Sequence, residues 1–205
     1  MEPTTTLTSS KPGDYGDKHT KNMTRKQLEK WIARELAREK LGKKLGKKYN
    51  TKVNSLDGAI DIILPINEEL TKKLLDLCDS YTNNIIEIKE LFEKAFKNGE
   101  RIDVDYQDEY GDTALMHASR YGYLEIVEYL LENKANLNLQ NEQGETALML
   151  ASEYGDYIEV VKFLIKNGAD EFIGDIDGKQ AYVKAYMCGH YYVKEYLSKF
   201  YWERA

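Results

Sequence analysis

Carboxylates crowd the stretch "DVDYQDEYGD", in which Asp103, Asp105 and Asp108 lie within a few positions of one another. Closely spaced oxygen donors are the raw material of a calcium loop, but an EF-hand loop also needs donors at alternate positions, a central glycine and a closing glutamate. This stretch misses that register, and "GDIDGKQ" misses it as well. The two cysteines, Cys78 and Cys188, are far apart and lack a CxxC or Cys/His partner, so neither a zinc site nor a disulfide framework is indicated and buried free thiols are expected. His190, in "CGHYY", is the remaining candidate base or ligand. No nucleophile, base and oxyanion donor combine into a catalytic arrangement. The expectation is a protein with no enzymatic activity, no metal and no cofactor, whose function is binding.

Binding needs surface, and the charge of the chain is unevenly spread. Its 205 residues carry a net charge of −6. Residues 1–52 hold 14 Lys/Arg against 6 Asp/Glu, a net of +8, and residues 53–205 hold 15 against 29, a net of −14. Such a split marks an arm with an electrostatic task or two halves that attract each other. Hydrophobic content of 42% allows a real core. No run of about 18 apolar residues spans a bilayer, and "MEPTTTLTSSKPGDYGDKHTKN" lacks the layout of a secretory signal, so the expected compartment is the cytoplasm.

The elements that must carry this surface follow from periodicity. Residues 1–22 offer too little apolar surface to offset chain entropy and read as a disordered tail. From about Thr24, Leu28, Ile32 and Leu36 recur every four residues beside Trp31, which predicts a basic amphipathic helix that weakens at Gly42 and Gly46. A connector follows, with "AIDIILPI" as a short strand or extended segment, so that residues 23–66 form a helix-and-connector extension. Asn67 then caps a helix with Leu70, Leu74, Leu75, Leu77 and Cys78 inward. In "NIIEIKELFEKAFKNG" a second helix buries Ile85, Ile88, Leu91, Phe92, Ala95 and Phe96 and ends at Asn98-Gly99. An extended segment completes the unit.

That unit recurs. "GDTALMHASRYG" at Gly111–Gly122 returns as "GETALMLASEYG" at Gly144–Gly155, 33 residues on, and again, blurred, as "GKQAYVKAYMCG" at Gly178–Gly189 after a further 34. A period of this length belongs to a solenoid, in which each unit is too thin to bury its own apolar face and stacked copies share one core. Gly111 and Gly144 belong to the turn opening each unit, Gly122 and Gly155 to the bend between helices. Ala118 and Ala151 stand where neighbouring helices press together. One residue is inserted between Gly155 and "IEVV".

These residues resemble the ankyrin-repeat family. The likeness rests on "DEYGDTALMHASRYGYLEIVEYLLENKANLNLQ" and "NEQGETALMLASEYGDYIEVVKFLIKNGADEFI" and extends over a domain at 67–205. It implies an all-α ankyrin solenoid of three to four helix-turn-helix repeats with hairpin loops, preceded by the N-terminal helical extension. Ala114 and Ala147 replace the proline of the family's T-P-L-H signature, and Met116 and Met149 its histidine, with His117 one position late. The family's Thr–His bond therefore does not carry over. A histidine after the inter-helix glycine is a common structural residue of the family, which gives His190 a structural role. Polar Lys184, Lys194 and Ser198, on the side that would meet a further repeat, make the last unit a cap.

The family grips partners with its hairpin tips and the exposed side of each first helix. The resemblance carries this role to Glu109, Tyr110, Asp112, Arg120 and Tyr121, then to Glu142, Gln143, Glu145, Glu153 and Tyr154, with Ile176, Lys179 and Met187 from the last unit. Tyrosines among carboxylates point to a basic protein partner, and the alternative is that the tyrosines only pack on neighbouring units. The implied function is a protein–protein interaction module serving as effector, inhibitor or adaptor. In the alternative reading, the basic arm contacts nucleic-acid phosphates and the repeats recruit a protein. The arm's narrow apolar stripe favours packing on the domain as a cap, or partner binding, over a membrane surface.

Overall fold

Apolar residues spaced three and four apart wind into eight helices among the residues that the computed structural model describes, 65–80 and 82–202. They are α1 (Glu68–Cys78), α2 (Ile85–Lys97), α3 (Ala114–Arg120), α4 (Leu124–Glu132), α5 (Ala147–Tyr154), α6 (Ile158–Lys166), α7 (Ala181–Cys188) and α8 (Tyr191–Trp202). The expected tail at 1–22 and all of the extension at 23–66 except Pro65 and Ile66 lie outside the described residues.

Two compact units divide the chain, and the boundary falls within α2. In the smaller, Ile66 pairs with Arg101 as a parallel bridge. The Arg101 N–H donates to the Pro65 carbonyl and the Asn67 N–H to the Arg101 carbonyl, each at 2.9 Å. The end of "AIDIILPI" is thus extended, as expected, and Gly99 (φ +72°) closes α2.

In the larger unit the inner helices stack α1 on α3, α3 on α5 and α5 on α7, while the outer helices stack α4 on α6 and α6 on α8. Leu74, Leu115 and Leu148 fill the inner row, and Ile126, Leu130, Val161, Leu164, Val193 and Leu197 the outer one, all at 1% exposure or less. Each such side chain contributes about 1.5–3 kcal/mol, and most of that arises between repeats. Ala118 and Ala151 are fully buried where α3 meets α5, as their size requires. On α1 it is Thr71 that is buried, while Leu77 is half-buried. The Thr71 hydroxyl accepts the Asp103 N–H at 3.1 Å, so this polar residue serves the extended segment that leads to the next repeat.

The inter-helix bends differ more than the sequence repeat implies. Gly122 is left-handed (φ +73°), but Gly155 is extended (φ −171°) because the inserted residue changes the path of the chain. What the two glycines share is Tyr157, since a Cβ on either would lie 2.5 Å or closer to its ring. The added Asp156 has a use of its own. Its carboxylate accepts the Val193 N–H at 2.9 Å and the Tyr192 N–H at 3.2 Å, satisfying the first turn of α8.

The αL position after α2 is Gly99 at φ +72°, after α6 it is Gly168 at φ +97° and, in the repeat between them, after α4 it is Lys134 at φ +71°. A Cβ disfavours this conformation. Lys134→Gly is expected to stabilise the protein by about 0.5–1 kcal/mol, after the larger unfolded-state entropy of glycine is discounted. Lys162→Gly, in the interior of α6, should destabilise it by about 1 kcal/mol. Chemical denaturation followed by circular dichroism measures both.

Candidate protein-binding surface

Each hairpin is built around one side-chain oxygen. Asp108 Oδ1 accepts the N–H groups of Tyr110 and Asp112, both at 2.9 Å. One repeat on, Asn141 Oδ1 accepts those of Gln143 (3.1 Å) and Glu145 (2.8 Å), and Asp175 Oδ1 those of Asp177 (3.0 Å) and Lys179 (2.8 Å). These turns are tied to one another. Gln107 Nε2 donates to the Gly111 carbonyl (2.6 Å) and across to the Gln140 carbonyl (3.0 Å), and Gln140 repeats the pattern toward Gly144 and Gly174. The Glu142 N–H meets the Tyr110 carbonyl and the Ile176 N–H the Gln143 carbonyl, each at 3.1 Å. Gly111 and Gly144 let successive hairpins approach, because a Cβ at either would sit 2.8 Å from the next hairpin's backbone nitrogen.

Thr113 and Thr146 then start the inner helices, their hydroxyls accepting the N–H of Met116 and Met149. The bonds that the displaced histidine does make run elsewhere. His117, 5% exposed, has Nε2 2.9 Å from Asp108 Oδ2 and Nδ1 3.0 Å from Asp79 Oδ1, the second contact without hydrogen-bond alignment. Burial alone would raise the Asp108 carboxyl, but the His117 bond and the two backbone donors outweigh it and hold its pKa below the ordinary value. Asp108, Asp112 and His117 each bring a ligand atom within 4.8 Å of the others. They already hold donors: Asp112 accepts Arg120 Nη2 at 2.6 Å and Asn141 Nδ2 at 2.8 Å. The cluster is a hydrogen-bond hub with a guanidinium at its edge, a poor cage for a cation.

Lys184 corrects the reading of the last repeat. It does not face outward as a polar cap residue. It stands in the register of His117 and Leu150 and reaches back to Glu145 (2.6 Å), Glu153 (2.8 Å) and Asp175 (3.1 Å) with its side chain 11% exposed. Burial opposes its charge, but the three carboxylates raise its pKa well above the ordinary lysine value. The Asp175 carboxyl is held low in return: burial raises it, and the Lys179 N–H, the Lys184 ammonium and the Asp177 N–H more than compensate. Lys194 lies 5.1 Å over the Tyr191 ring, and the Ser198 hydroxyl donates to the Glu195 carbonyl at 2.8 Å.

The residues expected to grip a partner therefore fall into two groups. Glu109, Tyr110, Glu142, Gln143, Tyr154, Ile176 and Met187 are exposed. Asp112 is buried at 3% and serves Arg120 and Asn141, so it is not an open contact residue. Glu145 and Glu153 are spent on Lys184, and Lys179 bonds Asp177 at 2.8 Å. Tyr121 is half-buried, stacks on Tyr123 at 5.6 Å and donates to Asp79 at 3.3 Å. Its counterpart Tyr154 lies under the Arg120 guanidinium, 5.3 Å from ring centre to Cζ. Both tyrosines thus reach back to the preceding repeat, and only Tyr154 keeps an open face.

Outside the hairpins, His190 Nδ1–H donates to the Ser152 carbonyl at 2.8 Å, a structural bond. Cys78 is buried, and burial followed by the Asp79 charge pushes its pKa up to about 12, which makes it an inert thiol. Cys188 is exposed, contrary to expectation, since the position it shares with Tyr154 faces solvent.

Turn, capped inner helix, bend and outer helix recur with the hairpins in register, and the sequence matches the family model described as ankyrin repeats (many copies) over residues 97–151 and 130–185. Residues 97–185 are ankyrin repeats. A search of curated proteins returned no significant match. Ankyrin stacks are protein–protein interaction modules, and no described helix of this one is long and apolar enough to cross a membrane.

Asp175→Asn separates turn from charge, because Asn141 already shows that an amide serves the turn. At pH 7 the variant should lose about 1–2 kcal/mol with the Lys184 contact. A depressed carboxyl pKa stabilises the fold above the unfolded value, about pH 4, and loses that contribution as pH falls through the lower folded value. Denaturation between pH 7 and 2.5 should therefore show the wild-type and variant stabilities converging at the acid end.

Proposed function

We propose that the protein is a non-enzymatic binding module, an effector, inhibitor or adaptor, which captures a basic protein segment along its hairpin tips and the adjoining concave face. The observation that carries this reading is the pairing of open carboxylates with open rings. Glu109 and Glu142 are exposed and have no ion-pair partner among the described residues, and Tyr110, next to Glu109 in the chain, and Tyr154, at the end of α5, are 60% and 57% exposed. A lysine or arginine can meet a carboxylate and a ring face together, and tyrosine supplies contact area at low entropic cost. The ankyrin domain at 67–205 is the proposed binding unit.

The carboxylates held by Arg120 and Lys184 play a different part. They fix the inner helices, and Arg120 pins one face of the Tyr154 ring so that the other is presented without further loss of freedom. Fluorescence anisotropy with the full-length protein and a labelled peptide of Lys, Arg, Gly and Ser should give binding that weakens as salt is raised. Glu109→Gln together with Glu142→Gln should weaken it about three- to tenfold, and Tyr154→Ala by a similar factor. Equal affinity in all three proteins would overturn the assignment.

A further inference from the structure

The proposed groove changes chemistry along the stack, and the change runs one way. Glu109, Glu142 and Ile176 occupy the same position in three successive hairpin tips, which the backbone bonds at Tyr110 and Gln143 hold in register. The first two are open carboxylates. Ile176 is 76% exposed. On the inner helices Arg120, Glu153 and Met187 share a position in the same way. Arg120 is occupied by Asp112 and Glu153 by Lys184, whereas Met187 stands 62% exposed. At both positions, then, the last repeat replaces a charged side chain with an aliphatic one and leaves it in water. A lone exposed apolar residue is ordinary; here the last repeat carries two, at the tip and helix positions where the preceding repeats carry charges.

We infer that Ile176 and Met187 receive an apolar side chain of the bound segment, so that the partner is an extended protein segment with Lys or Arg opposite Glu109 and Glu142 and one large aliphatic or aromatic residue opposite the last repeat. This deepens the basic-segment reading and rests on it. The spacing follows from geometry. Packed helices lie about 8–10 Å apart, and an extended chain advances about 3.3 Å per residue, so one repeat is crossed in about three residues. The apolar residue stands about three positions from the cation at Glu142 and about six from the cation at Glu109. The carboxylates steer the encounter and the apolar contact slows dissociation.

A random 12-residue peptide display library, selected on the immobilised full-length protein and on Ile176→Asp/Met187→Asp, tests this. Both side chains point into solvent, so the fold should survive, which circular dichroism checks. Ile176→Glu alone, which copies the preceding tips, serves as a milder second variant. Peptides selected on the wild type should carry Lys or Arg with a Leu, Ile, Phe or Trp three to six residues away. The double variant should keep the basic preference, lose the apolar position and bind the wild-type peptides at least tenfold more weakly. Basic peptides without a fixed apolar position, or a selection that the variants leave unchanged, would overturn the inference while sparing the basic-segment reading. Absence of any basic preference would remove both. Self-association in sedimentation that the double variant abolishes would assign the patch to a second copy of the chain and overturn the inference as well.

Discussion

The hairpin side of the stack hangs from one repeated contact, a side-chain oxygen at Asp108, Asn141 and Asp175 that accepts two backbone N–H groups of its own hairpin. It closes the turn, and the closed turn exposes the carbonyls that the glutamines of the preceding hairpin bridge. Helix stacking alone would leave the tips free to splay. With the turns bridged, residues 33 or 34 apart in sequence become neighbours on one surface, which is what a partner longer than one repeat needs.

Formal charge is a poor guide to this surface. The acidic excess of residues 53–205 is large, but Asp112, Glu145, Glu153 and Asp175 already have cations, and Arg120 and Lys184 are the internal counterions. Paired and largely buried, these groups link adjacent repeats and contribute little to attraction at a distance. At the hairpin tips Glu109 and Glu142 are exposed and stand outside these pairs.

Repeat period, helix positions, opening glycines and interlocking alanines were all legible in the sequence, because each follows from a packing requirement that recurs. Departures from the recurrence were harder to read. Lys184 looked like an outward-facing polar residue because Leu150 in its register is apolar, and nothing local in the chain reveals that three carboxylates await it, one of them 39 positions upstream. Asp112 and Tyr121 fell at positions that the family exposes, but an arginine eight residues on draws Asp112 inward and Asp79 holds Tyr121. A sequence pattern places a side chain on a face, whereas its partner across the repeat decides whether that face is open. Gly155 failed differently: the inserted residue was seen, but its effect on backbone conformation depends on the capping bonds it goes on to make.

That insertion has a consequence for how the molecule comes apart. A linear stack with only nearest-neighbour contacts ordinarily frays from its ends, and a terminal helix is its loosest element. Here the first turn of α8 is held by Asp156, a residue of the repeat before it, and the His190 ring is bonded to that same repeat through Ser152. To open, the last helix must break hydrogen bonds owned by its neighbour as well as its own packing. The amides of Tyr192 and Val193 therefore belong to the cooperative unit of the preceding repeat, and their hydrogen exchange should follow its opening rather than the fraying of a chain end.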